Sequence, residues 1–241
     1  LYRTAKHYKE AVYITPLWQN DLLQLEKTML LYPAFDFLRS NAAIADTMVF
    51  NAGGEWLKRQ VLFLEQQFSR DLLRIFLEEE LMRNPRLMER TYSTSHTTVH
   101  TLYHLAQFKE KTGIDPATLN SVAEWGGGYG NMARIFAKMN PQCTYTIIDT
   151  ALMSCLQWLY LSVSLADNAR VHLITHPGEE IKKGNITVIP IGLLQYYSPH
   201  ADLFLSTWAL SDVGSMWRIS SWHIRNKTKL CPIQKTASPI C

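Results

Sequence analysis

SVAEWGGGYGNMARIFAKMNPQCTYTIID, residues Ser121 to Asp149, pairs two apolar strands around one helix. The first strand, Val122 and Ala123, ends on an acid, Glu124. A glycine-rich turn follows, with Gly126, Gly127, Gly128 and Gly130. Apolar residues at Met132, Ile135, Phe136 and Met139 then recur at i, i+3, i+4 and i+7, the period of a helix with one buried face. Asn140 and Pro141 end that helix, and the second strand, Tyr145 to Ile148, ends on Asp149. Strand, glycine turn, helix, strand and terminal acid form a βαβ unit whose turn suits a nucleotide-like ligand.

The identity of that ligand turns on charge. A dinucleotide fingerprint, G-x-G-x-x-G, brings a helix N-terminus against a pyrophosphate. Counted from Gly126, Gly128 fits that spacing, but the third position is Asn131. The glycines run instead as G-x-G-x-G, directly after Glu124 and Trp125. A carboxylate beside a pyrophosphate sets like charges together, whereas beside a cation it is favourable. S-adenosyl-L-methionine is such a cation, carrying a sulfonium and an ammonium and no phosphate. Glycines let the backbone approach its methionine portion because no Cβ intervenes. Asp149, at the tip of the next strand, is placed to accept both ribose hydroxyls. Trp125 and Tyr129 offer aromatic faces to the cation, each contact worth about 0.5–2 kcal/mol. A nicotinamide cofactor is the competing reading, and the acid together with Asn131 counts against it.

Three segments carry a family resemblance: EWGGGYGNMARI (Glu124 to Ile135), YTIIDTALMSCLQWLYL (Tyr145 to Leu161) and LFLSTWALSD (Leu203 to Asp212). The first two resemble the opening motifs of class I methyltransferases that use S-adenosylmethionine. Together the three are similar to a bacterial family of sugar O-methyltransferases, over roughly residues 50 to 212. The resemblance implies an α/β fold with a Rossmann-like, mostly parallel sheet. It also implies methyl transfer to a hydroxyl of a sugar or glycoside. The sugar comes from the resemblance alone.

Composition is that of an ordinary globular chain: 241 residues, 47% hydrophobic and 19% charged. A net charge of +3 is too small to argue for a nucleic-acid or membrane partner, and neither is expected. Cys143, Cys155, Cys231 and Cys241 lie far apart with no C-x-x-C pair, which favours reduced thiols over a zinc site or a disulfide framework. The most apolar stretch, Ala151 to Ala166, contains Gln157 and three serines and is shorter than a membrane span. No secretory signal is visible, so a cytoplasmic location is the expectation.

Residues 1–113 read as a helical N-terminal region, 114–212 as the Rossmann-like domain and 213–241 as an irregular tail. The first fifty residues are helices broken at Pro16 and Pro33, with Asp21 as N-cap of a stripe at Leu22, Leu25 and Met29. A second helix begins near Glu55, buries Leu57, Val61, Leu64, Phe68, Leu72 and Ile75, and stops by Pro85. Glu78 to Glu80 read as a solvated helix face. A third helix runs from Ser95 to about Lys111 and ends at Gly113. It stacks His96, His100 and His104 at i, i+4 and i+8, away from the apolar stripe of Val99, Leu102 and Ala106. Three roles stay open for these histidines: solvated or core-edge residues, a general base, or a metal pair. His100, the central one, is the choice for a base; a metal is not expected, since H-x-x-x-H lacks its acid.

After Asp149, Leu152, Leu156, Leu159 and Val163 form the inner stripe of the next helix, and Thr150 and Ala151 are expected near an adenine. Val171 to Thr175 is a β-prone run without a clear place. Ile186 to Ile191 reads as the third sheet strand, followed by residues 192–194 beside the adenine. Leu203 to Thr207 reads as the fourth, with Ser206 to Trp208 either at the cofactor edge or packing a strand end. Only 34 residues follow Thr207, too few for the further strands and helices the resemblance implies. Residues 213–241 hold five Lys or Arg, no Asp or Glu, and no sustained period. The fold is therefore expected to be incomplete, through truncation or a frame change beyond about Asp212.

The expected donor-binding set is Glu124, Gly126, Gly127, Gly128, Gly130, Asp149, Thr150 and Ser206, with His100 as base. The alternative is a protein that binds the cofactor but lacks activity because its acceptor site is missing.

Overall fold

The computed structural model describes residues 1–8, 14, 16–29, 36–50, 53–80, 84–165, 170–207 and 209. Its helical N-terminal region contains α1 (Tyr2–Lys6), α2 (Pro16–Met29), α3 (Phe37–Ser40), α4 (Ala42–Met48), α5 (Gly54–Gln67) and α6 (Arg70–Leu77). A small antiparallel pair, β1 (Leu87–Glu89) and β2 (Thr94–Ser95), leads into the long helix α7 (His96–Thr112). The α/β part follows as β3 (Ser121–Trp125), α8 (Asn131–Met139), β4 (Thr144–Asp149), α9 (Ala151–Ser164), β5 (Val171–Leu173), β6 (Ile186–Pro190) and β7 (Leu203–Leu205).

The five-stranded sheet has the order β5-β6-β4-β3-β7, and its four pairings are all parallel. Strands β3, β4 and β6 are buried along almost their whole length, as near-continuous apolar runs of a parallel sheet require. The chain moves outward from β3 through β4 to the edge strand β5, steps back into the gap between β4 and β5 as β6, then crosses to the other side of β3 as β7. The strand order therefore reverses between β3 and β7, and in open parallel sheets ligands bind beyond the carboxyl ends at such a reversal. Trp125 lies opposite Ile148, so Glu124 and Asp149 both stand at that end.

One sheet face is covered by α8 and α9, and its apolar cluster continues without a break into the N-terminal helices, joining Leu64, Leu73 and Leu102 to Met132, Phe136 and Ile147. The other face carries Trp125, Ile148, Ile174 and Ile189, closed by a 3-10 turn at Ile191–Tyr196. Among the described residues no helix is long and apolar enough to cross a membrane.

Several expectations are corrected. The helix begun near Glu55 is two helices: Phe68 is extended, and the Ser69 hydroxyl caps α6 by accepting from Leu72 N–H at 3.4 Å. The break rotates the stripe, burying Leu73, Phe76 and Leu77 while leaving Leu72 and Ile75 about half exposed (43% and 50%). Glu78 to Glu80 lie beyond α6, and two of them are bound rather than solvated. Glu79 accepts from Ser95 N–H (2.9 Å) and Ser95 Oγ (2.6 Å), while Glu80 pairs with the fully buried Arg134 at 2.9 Å. Asp21 is not an N-cap; α2 starts at Pro16, whose fixed φ suits a first helical turn. Val163 is exposed, and Met153, Tyr160 and Leu161 complete the inner face of α9 with Leu152 and Leu156. Val171–Leu173 takes an edge of the sheet beside β6. Pro33, Trp208 and the tail 213–241 lie outside the described residues.

Candidate functional site

A cavity of about 580 Å³ opens at the carboxyl end of the sheet, between β3, β4 and the N-terminal helices. That volume falls within the roughly 300–1,000 Å³ of small-molecule sites. Glu124, Gly126, Gly127, Gly128, Asp149, Thr150 and His100 all line it, so most of the expected site residues meet on one wall. Two do not. Gly130 stands behind the turn as the N-cap of α8, against Tyr160 and Leu161. Ser206 is replaced at the wall by Thr207 and Ala209, and its own Oγ is buried without a hydrogen bond. Ile191, rather than residues 192–194, reaches the cavity.

Glu124 is 2% exposed. Its Oε2 accepts from the Tyr145 hydroxyl at 2.9 Å, and among the described residues no hydrogen bond reaches Oε1. Burial, then the Asp149 charge, pushes its carboxyl up to about 7, and only the Tyr145 hydrogen bond opposes this. Gly127 lies so close that a Cβ there would sit 2.7 Å from Ile147 Cγ2 and 3.2 Å from Glu124 Oε2, so only glycine fits.

Asp149 Oδ1 accepts from Thr150 N–H at 2.8 Å, and Oδ2 accepts from Gln157 Nε2 at 2.7 Å. The same Gln157 nitrogen donates to Gly128 O at 2.8 Å, tying the second strand's acid to the glycine turn. Gln157 is fully buried on α9, which reaches back to the end of β4, and sequence reading passed over it as an interruption in an apolar run. Thr150 is 8% exposed at the N-cap of α9, yet among the described residues its hydroxyl makes no capping bond and no other hydrogen bond. A buried hydroxyl on a cavity wall without a partner is a group left for a ligand.

The N-terminal helices supply the opposite wall, with Trp18, Asp21, Asp46, Thr47 and Phe50. Four carboxylates thus line the cavity, and among its described lining residues none is Lys or Arg. Neither Asp21 nor Asp46 was expected at the site, because nothing in a local pattern tells which helix folds over a distant sheet.

The histidines of α7 form a row. Gly53 N–H donates to His96 Nδ1 at 3.0 Å, and His96 Nε2 meets Gln60 Oε1 at 3.2 Å. Gln60 Nε2 lies 2.8 Å from His100 Nδ1, and His100 Nε2 lies 3.0 Å from His104 Nε2. His96 is fully buried, contrary to the expectation that the row stays apart from the buried face. His100 stacks on Phe50 with ring centroids 4.5 Å apart. Burial lowers all three rings, to about 4 for His96 and His100 and about 3 for His104, so they are neutral near pH 7. Both His100 nitrogens face hydrogen-bond partners, and at the row's far end His104 Nδ1 is buried without one among the described residues. Among the described residues no group of three or more His, Cys, Asp or Glu side chains is arranged to hold a metal ion.

This end of the sheet therefore gathers two acids at neighbouring strand tips, a turn in which Gly126 and Gly127 leave no room for a Cβ, and a buried threonine hydroxyl. No protein-family model matches the chain, and no curated protein matches it.

Proposed function

We propose that the protein is an O-methyltransferase of the class I type that uses S-adenosyl-L-methionine and methylates a hydroxyl of a sugar or glycoside. The observation that carries the donor is the cavity's charge: Asp21, Asp46, Glu124 and Asp149 line it, with no described Lys or Arg to receive a phosphate. A pyrophosphate would be repelled there, while a sulfonium and an ammonium lower the cost of the buried Glu124 charge. In this reading Asp149 accepts the ribose hydroxyls, held in position by Gln157. Glu124, through its open Oε1, faces the cationic methionine portion, and the glycine turn lies along it. Thr150 meets the base or ribose edge. The sugar acceptor rests on the resemblance to sugar O-methyltransferases.

The donor supplies an activated methyl group, which the acceptor oxygen takes by in-line displacement at carbon. The residues of the chain align the two molecules and exclude water, the main contribution when the leaving group is already good. For the hydroxyl proton the walls carry two kinds of group: the carboxylates Asp21 and Asp46, and the His100–His104 pair, whose tautomers determine whether it accepts or donates.

The reading is tested by following labelled methyl from S-adenosylmethionine into a panel of neutral glycosides, with donor binding measured separately. Transfer supports it. Donor binding with no transfer to any glycoside favours the second reading, a cofactor-binding protein without activity. A thermal shift with NAD and none with S-adenosylmethionine overturns both.

A further inference from the structure

The row on α7 has a direction. A backbone N–H can only donate, so the Gly53 bond requires a lone pair on His96 Nδ1 and places that ring's proton on Nε2. The Gln60 atom facing His96 Nε2–H must then be its carbonyl oxygen, which turns the amide nitrogen toward His100 Nδ1. His100 must accept there and carries its proton on Nε2. That proton is donated to His104 Nε2, leaving the His104 proton on Nδ1. One donor outside the helix thus sets three tautomers and one amide orientation.

The starting donor is itself well held. Gly53 adopts φ 58° and ψ −161°, a backbone region open essentially to glycine alone. A Cβ there would also sit 2.8 Å from Met88 Cε.

We infer that Gly53 and Gln60 fix the tautomers of the histidine row, leaving an N–H rather than a lone pair at His104 Nδ1, and so hold the row out of the general-base role. His104 lines the cavity, its Nδ1 is buried, and among the described residues Nδ1 meets no hydrogen-bond partner. A ligand atom that reached Nδ1 would have to carry a lone pair, as the oxygen of a hydroxyl acceptor does. That identification of the atom rests on the methyl-transfer reading; the tautomers do not. Reversing the row to expose a lone pair at His104 would set two N–H groups against each other at Gly53, or leave a buried partner unmet. In this arrangement the hydroxyl proton passes to a carboxylate rather than to His100.

The amide of Gln60 is the switch in the argument. In Gln60→Glu both atoms of that side chain become acceptors, so His100 must place its proton on Nδ1. His100 Nε2 then accepts from His104 Nε2–H, and His104 Nδ1 becomes a lone pair.

The experiment is long-range proton–nitrogen correlation spectroscopy of the full chain labelled with 15N-histidine, at pH 7 and without added ligand. The expected spectrum has protonated Nε2 in His96 and His100 and protonated Nδ1 in His104. These forms should outnumber the alternatives roughly tenfold or more, the ratio implied by one unmade buried hydrogen bond. In Gln60→Glu the His100 and His104 assignments should exchange while His96 stays as it was. A wild-type spectrum with His104 protonated at Nε2 overturns the inference, as does a folded Gln60→Glu chain whose His100 tautomer is unchanged. If Gln60→Glu does not fold, the wild-type spectrum decides alone. Failure of S-adenosylmethionine to bind would remove the methyl-transfer reading and leave the tautomer result standing.

Discussion

Glu124 is 2% exposed, and its carboxyl is raised to about 7 in the folded chain, mainly by burial. The folded state therefore binds more protons than the unfolded state between about pH 4.5 and 7, and stability falls as pH rises through that window. At about 1.4 kcal/mol per pKa unit the unliganded protein gives up about 3 kcal/mol there. Glu124→Gln should remove this slope in chemical denaturation at pH 5 and pH 8, and should weaken S-adenosylmethionine binding. A variant with an unchanged slope would show that Glu124 is not held as a strained acid. Asp149→Ala should weaken donor binding by one to two orders of magnitude, the equivalent of about 1.5–3 kcal/mol for charge-assisted hydrogen bonds. Unchanged donor affinity would remove the ribose assignment. Glu124 and Asp149 were legible because each follows an apolar strand beside a punctuating turn. Gln157 was not: its meaning lies in reaching back to Asp149 and Gly128, and no period in an apolar helix announces that.

Helix α7 is the element that links the two parts of the molecule, and its histidines give it a pH signature opposite to that of Glu124. Each ring has a folded pKa below its ordinary 6.5, so the stability they carry is complete above that value and is lost as pH falls toward about 4. Three histidines outweigh one glutamate, so melting temperature should fall steeply below pH 6, and His96→Phe should flatten that fall. An equally steep fall in His96→Phe would assign the acid lability elsewhere. Arg134 on α8 is 0% exposed and bonds to Glu80, Glu78 O, Asn131 and Thr98, fastening residues 78–80 and α7 to the sheet's helices. Arg134→Met should cost about 3 kcal/mol or more in denaturant unfolding, since it takes one cation from Glu80, which keeps Lys138 at 3.3 Å, and removes the buried bonds to Glu78 O, Asn131 and Thr98. Loss below 1 kcal/mol would show that the cluster is not holding the elements together. The ends of α7 were readable from Ser95 and Gly113, which cap it as their types suggest. The break at Ser69 was missed because the apolar spacing of α5 runs on into α6 without a Gly or Pro. β1 and β2, of three and two residues, are too short for alternation to register, while β5 was visible as a β-prone run but its edge position depends on pairing with β6.

At the scale of the molecule, the parallel order β5-β6-β4-β3-β7 puts the strand reversal, the glycine turn and both strand-tip acids at one end of the sheet. That end was legible from Ser121 to Asp149, because the βαβ unit is local and its connections are short. The helical wall with Asp21 and Asp46 was not, since its place depends on packing between residues far apart in the chain. Together the two walls make a cavity of about 580 Å³ whose titratable groups are four carboxylates and two histidines kept neutral by burial. Calorimetric titration of the full chain with S-adenosylmethionine and with NAD, in parallel at pH 7.5, probes that charge most directly. The account predicts saturable binding of S-adenosylmethionine, weakened by Glu124→Gln, and no detectable heat with NAD. Binding of NAD with none of S-adenosylmethionine would contradict it.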